Sequence, residues 1–337
     1  MTAAPDLADP GVVAKELLTV TTTVAARPLF EGNNISYAIG FKHISYLVEA
    51  GILAHFRRAG LSAGALFSEY GRCFELVAVS ARLGALLGVD DEAELQVTPV
   101  VRPGDSSLRF KVGVVVERAG ERVTVATAKA EVVLRTAGGD GWARTLPAEV
   151  ERFVVPRIGG AEPGLAVTAR PATGFSAGRG HTGPDPVLDA LIGDTNAFGW
   201  KWRIPYFYCH FNERLQMSGY LRLMEEVVDL FLADRGLPIK SVLDSKGWIP
   251  VVTTSDIRLL DEVEMEEEVY TVYTVEDIFK DLLYKSRFDV YVVRDGRTVH
   301  AATGSITHGY LEEVGPNDWA MATFDAGTRA ALSGVAS

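Results

Sequence analysis

Cysteine, long apolar runs and excess positive charge are all scarce in this sequence. The two cysteines, Cys73 and Cys209, form no spaced framework, which argues against a disulfide-stapled fold and favours a reducing compartment. No apolar run reaches the roughly 18 residues that a membrane-spanning helix needs. The net charge of −11 argues against a nucleic-acid partner. Residues 1–9 are acidic and lack the apolar core of a signal peptide, so we expect a cytoplasmic protein with no membrane partner.

Histidine is also sparse and shows no metal-binding pattern. The six histidines do not stand at ligand spacing from carboxylates, so we predict neither a metal site nor a cofactor. Residues 174–178, Gly-Phe-Ser-Ala-Gly, match the Gly-x-Ser-x-Gly turn of α/β-hydrolases. That turn must lead into a helix, but glycine and proline follow here, so we reject a serine nucleophile in this stretch.

What the sequence does contain is an internal duplication. Adding 176 to a residue number between 27 and about 134 gives the matching residue of a second copy, without a gap. Identical pairs occur in the predicted helix, strands and hairpin: Arg27 and Arg203, Leu47 and Leu223, Glu49 and Glu225, Gly60 and Gly236, Gly120 and Gly296, Thr127 and Thr303. One register held over this length predicts two similar domains in tandem.

Each copy is predicted to hold a strand, a polar loop, one long helix and four strands joined by hairpins. The first strand is expected at residues 19–30, and the two helices at residues 42–59 and 218–235. The helix can bury itself only against an antiparallel sheet, so the sheet must curl round it, in an α+β fold. The predicted organisation is an N-terminal tail (1–18), domain 1 (19–135), a Gly/Pro-rich connecting segment (136–200), domain 2 (201–315) and a C-terminal tail (316–337).

The second helix carries an acidic residue where carboxylates are unusual. Apolar side chains lie on two stripes of this helix, and Glu225 falls on one of them, so we expect Glu225 to be buried. Burial would raise its pKa and suit it to act as a general base near neutral pH. Glu49 stands at the same position of the first copy. A structural role, with the carboxylate bonded to a backbone donor, is the competing interpretation for both.

The duplicated pattern resembles a known superfamily. Residues 248–308 are similar to the sheet of 4-hydroxybenzoyl-CoA-type thioesterases, and two tandem copies resemble a double-hotdog protein of the acyl thioesterase and dehydratase superfamily. The resemblance implies two hotdog domains, a pseudo-dimer in one chain, in which each curved antiparallel sheet wraps one long helix. Neither copy keeps the loop Asp or the Gly-His pair of the thioesterases. His210-Phe211, followed by Met217, Gly219 and Leu221, is similar to a segment of hydroxyacyl-carrier dehydratases whose prolines are replaced here.

The resemblance implies a site built from the loop before each helix and from the helix itself. The candidate catalytic residues are Glu225, His210, Glu49, Tyr37 and Asn33. The candidates for binding substrate or the oxyanion are Gly219, Tyr220, Asn212, Glu213, Asn34 and His43. The oxyanion would bind backbone N–H groups at the start of a helix, either those of Gly219 and Tyr220 or those of residues 41–43. For His210, Tyr37 and Asn33, ordinary loop roles are the competing interpretation. Cys209 is not expected to be a nucleophile, because nothing lowers its pKa.

These features predict hydrolysis of an acyl thioester carried on CoA or an acyl carrier protein, in lipid or polyketide-type metabolism. A dehydratase or other lyase acting on a β-hydroxyacyl thioester is the first alternative. A non-catalytic acyl-binding protein, or a divergent cyclase or acyltransferase on the same fold, is the second, since a fold does not fix a reaction. Because the duplication supplies two domains, the active species is expected to be a monomer or a homodimer.

Overall fold

Packing divides the chain into two units of similar construction. In the computed structural model, unit 1 spans Met1–Ile158 and unit 2 spans Gly159–Ser337. The structure describes residues 9–139, 142–160, 162–168, 185–211, 213–315 and 318–334. The Gly-x-Ser-x-Gly sequence at residues 174–178 lies outside the described residues.

Unit 1 is a curled antiparallel sheet with one long helix. Its elements, in chain order, are α1 (Pro10–Thr19), β1 (Thr22–Ala26), α2 (Phe41–Arg58), α3 (Ala63–Tyr70), β2 (Arg72–Leu83), β3 (Ala93–Pro99), β4 (Leu108–Arg118), β5 (Glu121–Thr136), α4 (Ala148–Glu151) and β6 (Val154–Val155). The strands pair antiparallel in the order β1-β3-β4-β5-β2, and β6 lies parallel beside β5.

Helix α2 is held by its apolar face. Ile44, Val48 and Ile52 recur at helical spacing and are at most 1% exposed, and burial of each stabilises the fold by about 1.5–3 kcal/mol. At Gly51 the helix lies so close to β3 that a Cβ would stand 3.1 Å from the Val97 side chain. The helix therefore packs directly on one face of the sheet, as the hotdog interpretation requires.

The structure differs from the prediction at the N-terminus. Residues 10–18, assigned to a tail, belong to α1, whose first turn is capped by the Asp9 carboxylate accepting from Gly11 N at 2.8 Å. Leu17 is fully buried, and its carbonyl oxygen accepts from His55 Nε2 at 2.9 Å. Thr22 Oγ1 lies 2.7 Å from His55 Nδ1. A buried histidine of α2 thus ties α1 and β1 to the core, a long-range contact that local sequence does not reveal.

Unit 2 repeats the arrangement. Its elements are α5 (Pro186–Ile192), β7 (Phe198–Arg203), α6 (Met217–Asp234), α7 (Ile239–Lys246), β8 (Ile249–Leu259), β9 (Glu268–Phe279), β10 (Leu283–Arg294), β11 (Arg297–Gly315), β12 (Asp318–Met321) and α8 (Ala326–Ser333). The strands pair antiparallel in the order β7-β9-β10-β11-β8, with β12 added beside β11.

The predicted duplication is confirmed at the level of single residues. Helices α2 and α6, and likewise α3 and α7, begin and end at positions 176 apart. The predicted hairpins have the same turn, because Ala119-Gly120 and Asp295-Gly296 all have positive φ, the conformation that two-residue hairpin turns favour. The bulge after Val114 recurs after Val290. One offset therefore relates the backbones as well as the sequences.

The remaining differences concern short elements. The first strand of unit 1 is shorter than the predicted span of residues 19–30, and α3 and α7 were not predicted. The segment 136–200 was expected to connect the domains and to hold a strand and a short helix near residues 187–192, which is α5; it also contains α4, β6 and the start of β7. Residues 316–337, expected to be a tail, include β12 and α8. These are short elements stabilised by packing rather than by a strong local pattern.

Candidate active site

Each central helix is preceded by a loop of the same design. Loop 1 (residues 30–40) opens with one 3-10 turn, Phe30–Gly32, and ends where α2 begins. Loop 2 (residues 206–216) opens with the turn Tyr206–Tyr208 and ends where α6 begins. The two loops carry the predicted loop residues of the site.

The same backbone hydrogen bonds hold both loops. In loop 1 the bonds are Gly40 N to Gly32 O (2.9 Å), Ile39 N to Leu87 O (2.8 Å) and Val89 N to Tyr37 O (3.2 Å). In loop 2 they are Gln216 N to Tyr208 O (3.2 Å), Leu215 N to Val263 O (2.8 Å) and Met265 N to Glu213 O (2.6 Å). Each loop is therefore anchored to the segment between its second and third sheet strands in the chain, residues 84–92 or 260–267.

An arginine at the end of a hairpin strand braces that anchoring segment in each unit. Arg118 donates from Nη2 to Leu86 O at 2.6 Å and pairs with the Asp91 carboxylate. At the equivalent position, Arg294 donates from Nη2 to Glu262 O at 2.6 Å and from Nε to Glu267 Oε1 at 2.9 Å. The sequence analysis did not single out these arginines, although both stand at the shared offset.

The N-termini of α2 and α6 have no side-chain cap. Gly40 and Gln216 occupy the cap positions, and neither caps the helix through a side chain. Gln216 O accepts from Gly219 N at 2.8 Å and from Tyr220 N at 3.1 Å, and Gly40 O accepts from His43 N at 3.1 Å. The three N–H groups predicted to bind an oxyanion are thus engaged within the first helical turn.

The first helical position is the better oxyanion donor on this geometry. The N–H groups at the start of a helix precede its internal bonds and lie at the positive end of the helix dipole. These positions are Phe41 in α2 and Met217 in α6. Phe41 is thus retained from the predicted donors 41–43 of α2, whereas Met217 replaces Gly219 and Tyr220 as the expected donor in α6.

Glu49 has the environment that was expected of Glu225. Its side chain is only partly accessible, and its removal from water, reinforced by the negative charge of Glu75, raises the pKa of Glu49 to about 7. Glu75 lies on β2 and is 3% exposed. Glu75 was not predicted as a site residue, although an acidic residue inside the apolar stretch Cys-Phe-Glu-Leu-Val is a signal visible in the sequence.

Glu225 is less buried than the sequence predicted. It is half-buried, and Glu226, Val228 and Leu230 beside it are also partly accessible, whereas Asp229 is exposed. One side of α6 therefore remains open, and the second apolar stripe does not enclose its carboxylate. The expectation of a deeply buried Glu225 was wrong, because stripe patterns do not show how much of a helix the sheet covers.

The loop-2 residues are arranged around a turn rather than clustered. Glu213 is exposed, has a φ of +63°, and donates its N–H to His210 O at 3.1 Å. His210 is exposed, yet partial loss of hydration lowers the pKa of its imidazole, which favours the neutral ring. Burial raises the pKa of Cys209 to about 11, which disfavours a thiolate nucleophile. Asn212 lies outside the described residues.

In loop 1, Asn33 is fixed while its neighbours face solvent. Its Nδ2 donates to Ser36 O at 2.8 Å and to Asn34 O at 3.1 Å. Its Oδ1 is buried and has no hydrogen-bond partner among the described residues, so it remains an available acceptor. Asn34 Oδ1 accepts from Ile35 N at 2.9 Å, and Tyr37 is 53% exposed. Asn33 is therefore the predicted loop-1 residue best placed to orient a polar ligand.

Within the described parts of the chain, no helix is long and apolar enough to cross a membrane. Nor do three or more His, Cys, Asp or Glu side chains come together in a way that could hold a metal ion.

Comparison with protein families agrees with the resemblance noted in the sequence. Residues 191–313 match the family described as the thioesterase-like superfamily. This range includes loop 2, α6 and the whole sheet segment 248–308 that carried the resemblance. No curated protein matches the chain in sequence.

Solved structures match over most of the chain. A protein assigned as an oleoyl thioesterase from Lactobacillus plantarum aligns with a TM-score of 0.54 and 12% identity, over 87% of this chain and 97% of its own. The 12:0-ACP thioesterase from Umbellularia californica aligns with a TM-score of 0.53 and 10% identity, over 90% of this chain and 98% of its own. An acyl-ACP thioesterase from Bacteroides thetaiotaomicron aligns with a TM-score of 0.50 and 10% identity, over 86% of this chain and 97% of its own. The chain thus has the double-hotdog fold of these thioesterases, and its residues 191–313 match the thioesterase-like superfamily.

Proposed function

We propose that this protein hydrolyses an acyl thioester carried on CoA or on an acyl carrier protein, with Glu49 as general base. The observation that carries the proposal is a carboxylate on the central helix of unit 1 whose pKa is raised to about 7. A group with that pKa is half-ionised near neutral pH and can both accept and return a proton. The fold shared with acyl thioesterases supports the substrate class.

The proposed reaction involves two residues of α2, Phe41 in its first turn and Glu49 in its third. Glu49 stands eight residues after Phe41, about 12 Å along the axis, and helical side chains lean back toward the N-terminus. Glu49 takes a proton from a water molecule, and the water oxygen attacks the thioester carbonyl. The Phe41 N–H stabilises the resulting oxyanion, and Asn33 Oδ1 accepts a hydrogen bond from the water. Collapse of the intermediate expels the thiolate, to which Glu49 returns the proton.

Dehydration of a β-hydroxyacyl thioester is the second candidate. It is favoured by His210, because an imidazole with a lowered pKa is neutral at pH 7 and can remove an α-proton. Glu225, half-buried on α6, would protonate the leaving hydroxyl. Dehydration would use unit 2, whereas the proposed hydrolysis uses unit 1.

Thiol release from a panel of acyl-CoA and acyl-carrier-protein thioesters tests the proposal. Glu49→Gln is expected to lower kcat by about 10²–10⁴-fold, whereas the matched variant Glu225→Gln, and His210→Ala, retain activity. The wild-type rate is expected to rise with pH and level off above about pH 7. Retained activity in Glu49→Gln would reject this base. Loss of water from the acyl group without thiol release, detected by mass spectrometry, would favour dehydration.

A further inference from the structure

In both units, the loop meets the first turn of the central helix at a close contact that involves a glycine. In unit 1 the glycine lies on the loop: a Cβ on Gly32 would stand 2.6 Å from Cγ and 2.8 Å from Cβ of His43, the third residue of α2. In unit 2 the glycine lies on the helix: a Cβ on Gly219 would stand 2.4 Å from Leu215 Cδ1 and 3.3 Å from Tyr208 O. The residue of unit 2 equivalent to Gly32 is Tyr208. The residue equivalent to His43 is Gly219, so the glycine lies on opposite sides of the two junctions.

Each junction also contains one aromatic ring beside the same helical position. In unit 1 the His43 ring lies edge-on to Tyr46, with ring centroids 5.0 Å apart. In unit 2 the guanidinium of Arg222 lies over the Tyr208 ring, with its carbon 5.3 Å from the ring centroid. Tyr46 and Arg222 are equivalent residues. A ring from the loop therefore fills the junction in unit 2, whereas a ring from the helix fills it in unit 1.

The contact in unit 1 leaves no room for an added atom. Gly32 and His43 are both buried. A change of rotamer at His43 does not move its Cβ, so a methyl group on Gly32 would force loop 1 and α2 apart. The φ of Gly32 is not positive, so its backbone conformation is open to alanine. The requirement for glycine at this position is therefore steric, and it comes from His43.

This contact joins the two elements that carry the proposed polar groups of the site. Asn33 follows Gly32 directly, and its side chain is fixed to loop 1 by a hydrogen bond to Ser36 O, at 2.8 Å. Phe41, whose N–H is expected to bind the oxyanion, lies two residues before His43 in the first turn of α2. The separation of Asn33 Oδ1 from the Phe41 N–H therefore depends on how closely Gly32 approaches His43.

The same ring begins a row of side chains that leads to the proposed base. His43, Tyr46 and Glu49 follow one another at intervals of three residues, which makes consecutive members neighbours along α2. Unit 2 has Gly219 and Arg222 at the positions of the two rings. The row of two rings and a carboxylate thus belongs to the unit in which we place hydrolysis.

We propose that the His43 ring, seated against Gly32, is a positioning group that sets loop 1 on α2 for hydrolysis of the thioester. The inference rests on the proposed function in taking unit 1 as the site of the reaction. His43 acts through Asn33 and through the α2 N-terminus, without touching the substrate. Its side chain thereby has a role, whereas only its backbone N–H was predicted to contribute.

Moving the glycine from the loop to the helix, as in unit 2, tests the proposal. With the best substrate of the thioester panel, Gly32→Ala is expected to lower kcat about tenfold or more and to change KM less than about threefold, because misplaced polar groups fail mainly in the transition state. His43→Gly should lower kcat in the otherwise wild-type protein, because the ring is lost. In the Gly32→Ala background, the same change should raise kcat about threefold or more, because it makes room for the added methyl group.

Hydrogen exchange gives a readout that does not depend on turnover. The Gly40 amide donates to Gly32 O at 2.9 Å. Its exchange should be about tenfold faster in Gly32→Ala than in wild type, and slower again once His43→Gly is added. Gly64→Ala, in α3 of the same unit, is the matched control. A Cβ at Gly64 has no neighbour within 4 Å, so this variant should change neither kcat nor the exchange of Gly40.

Two results would overturn the inference. They are a Gly32→Ala protein that matches Gly64→Ala in kcat and in Gly40 exchange, and a His43→Gly change that lowers kcat equally in both backgrounds. If circular dichroism shows that Gly32→Ala does not fold, His43→Ala decides, because it removes the ring and adds no atom. It should lower kcat and speed Gly40 exchange, each about tenfold, and wild-type values of both would reject the role of the ring. Failure of the proposed hydrolysis would be visible separately, as absence of thiol release from the wild-type protein, and the exchange rates would still show whether His43 holds loop 1.

Discussion

Two glutamates at equivalent positions show how environment decides what a residue can do. Glu49 and Glu225 have the same identity and the same place in their helices, 176 residues apart. Burial and the nearby Glu75 raise the pKa of Glu49 to about 7, whereas unit 2 has Val251 at the position equivalent to Glu75. The difference comes from the surroundings of each helix, and it selects Glu49 as the base in our proposal.

The raised pKa of Glu49 predicts an effect on stability with a definite sign. A carboxyl group whose folded pKa exceeds its unfolded value favours the folded state when protonated, so its ionisation destabilises the protein as pH rises from about 4.5 to 7. The shift corresponds to at most about 3 kcal/mol, less for partial exposure. Glu49→Gln should therefore raise the free energy of unfolding at pH 8 by about 1–3 kcal/mol and have little effect at pH 4.5.

Urea denaturation at the two pH values measures this difference. Glu225→Gln, the same substitution at the equivalent position of unit 2, is the matched control. A Glu49→Gln protein that is no more stable than wild type at pH 8 would contradict the desolvated environment assigned to this carboxylate. Loss of activity together with a gain in stability is the signature expected of a functional group held in an unfavourable environment.

At the scale of secondary-structure elements, the same arginine-to-carbonyl hydrogen bond occurs in both units. Arg118 and Arg294 end equivalent strands and bind the carbonyl oxygens of Leu86 and Glu262. The braced segments in turn hold loops 1 and 2 through backbone hydrogen bonds. The position of each loop, and of the helix N-terminus that follows it, thus depends on a side chain far away in the sequence.

This arrangement predicts that each arginine controls its own loop. Arg118→Gln should speed hydrogen exchange of the Ile39 and Val89 amides by about tenfold to a hundredfold, since charged hydrogen bonds are worth about 1.5–3 kcal/mol. Arg294→Gln should do the same for the Leu215 and Met265 amides. Each variant serves as the control for the other, because the loop of the opposite unit keeps its own arginine.

Activity measurements on the same variants give a second readout. If unit 1 carries hydrolysis, Arg118→Gln should lower kcat about tenfold or more through misplacement of the α2 N-terminus, and Arg294→Gln should not. Exchange rates that rise equally in both loops for either variant would show that the arginines stabilise the protein generally rather than brace individual loops.

At the scale of the whole molecule, buried titratable groups set the response to pH. Burial lowers the pKa of His308 to about 3 and also lowers that of His55. A histidine whose folded pKa lies below its unfolded value of about 6.5 stabilises the fold at higher pH, and this stabilisation is lost as pH falls through the range between the two values. The folded state should therefore become less stable in mild acid.

His308→Val tests the largest of these contributions. Valine stands at the equivalent position of unit 1, Val132, where the same strand pair accepts it. Wild type should lose about 2 kcal/mol of stability through His308 between pH 6.5 and pH 5, and the variant should lack that loss. Thermal or urea unfolding across this range measures the slope. Tyr284→Phe changes the same cluster without removing the histidine and should keep the wild-type slope; equal slopes in all three proteins would contradict the prediction.

The sequence by itself determined the duplicated architecture. The offset of 176, the two central helices and the hairpins at Gly120 and Gly296 are local or periodic features, and a linear sequence displays them directly. The resemblance to double-hotdog thioesterases followed from that pattern, and the fold is confirmed. The helix formed by residues 10–18 was missed although Asp9 and Pro10 are a local start signal, and burial of Leu17 and a bond to His55 hold it in the fold.

Only the tertiary structure decided how each candidate side chain is surrounded. Apolar stripes placed Glu225 in the core, but a helical pattern does not report how far the sheet covers the helix, and Glu225 is only half-buried. Burial and the charge of Glu75 on β2, a residue distant in sequence, raise the pKa of Glu49. The offset pairs Leu108 with Tyr284 and Val132 with His308, but strand register was needed to show that these residues share one face. The positions of the N–H groups at the start of α2 and α6 depend on hydrogen bonds between distant segments, including those that Arg118 and Arg294 donate to backbone carbonyl oxygens. Burial, register and long-range bonding arise from the folded chain as a whole, which is why no single stretch of sequence contains them.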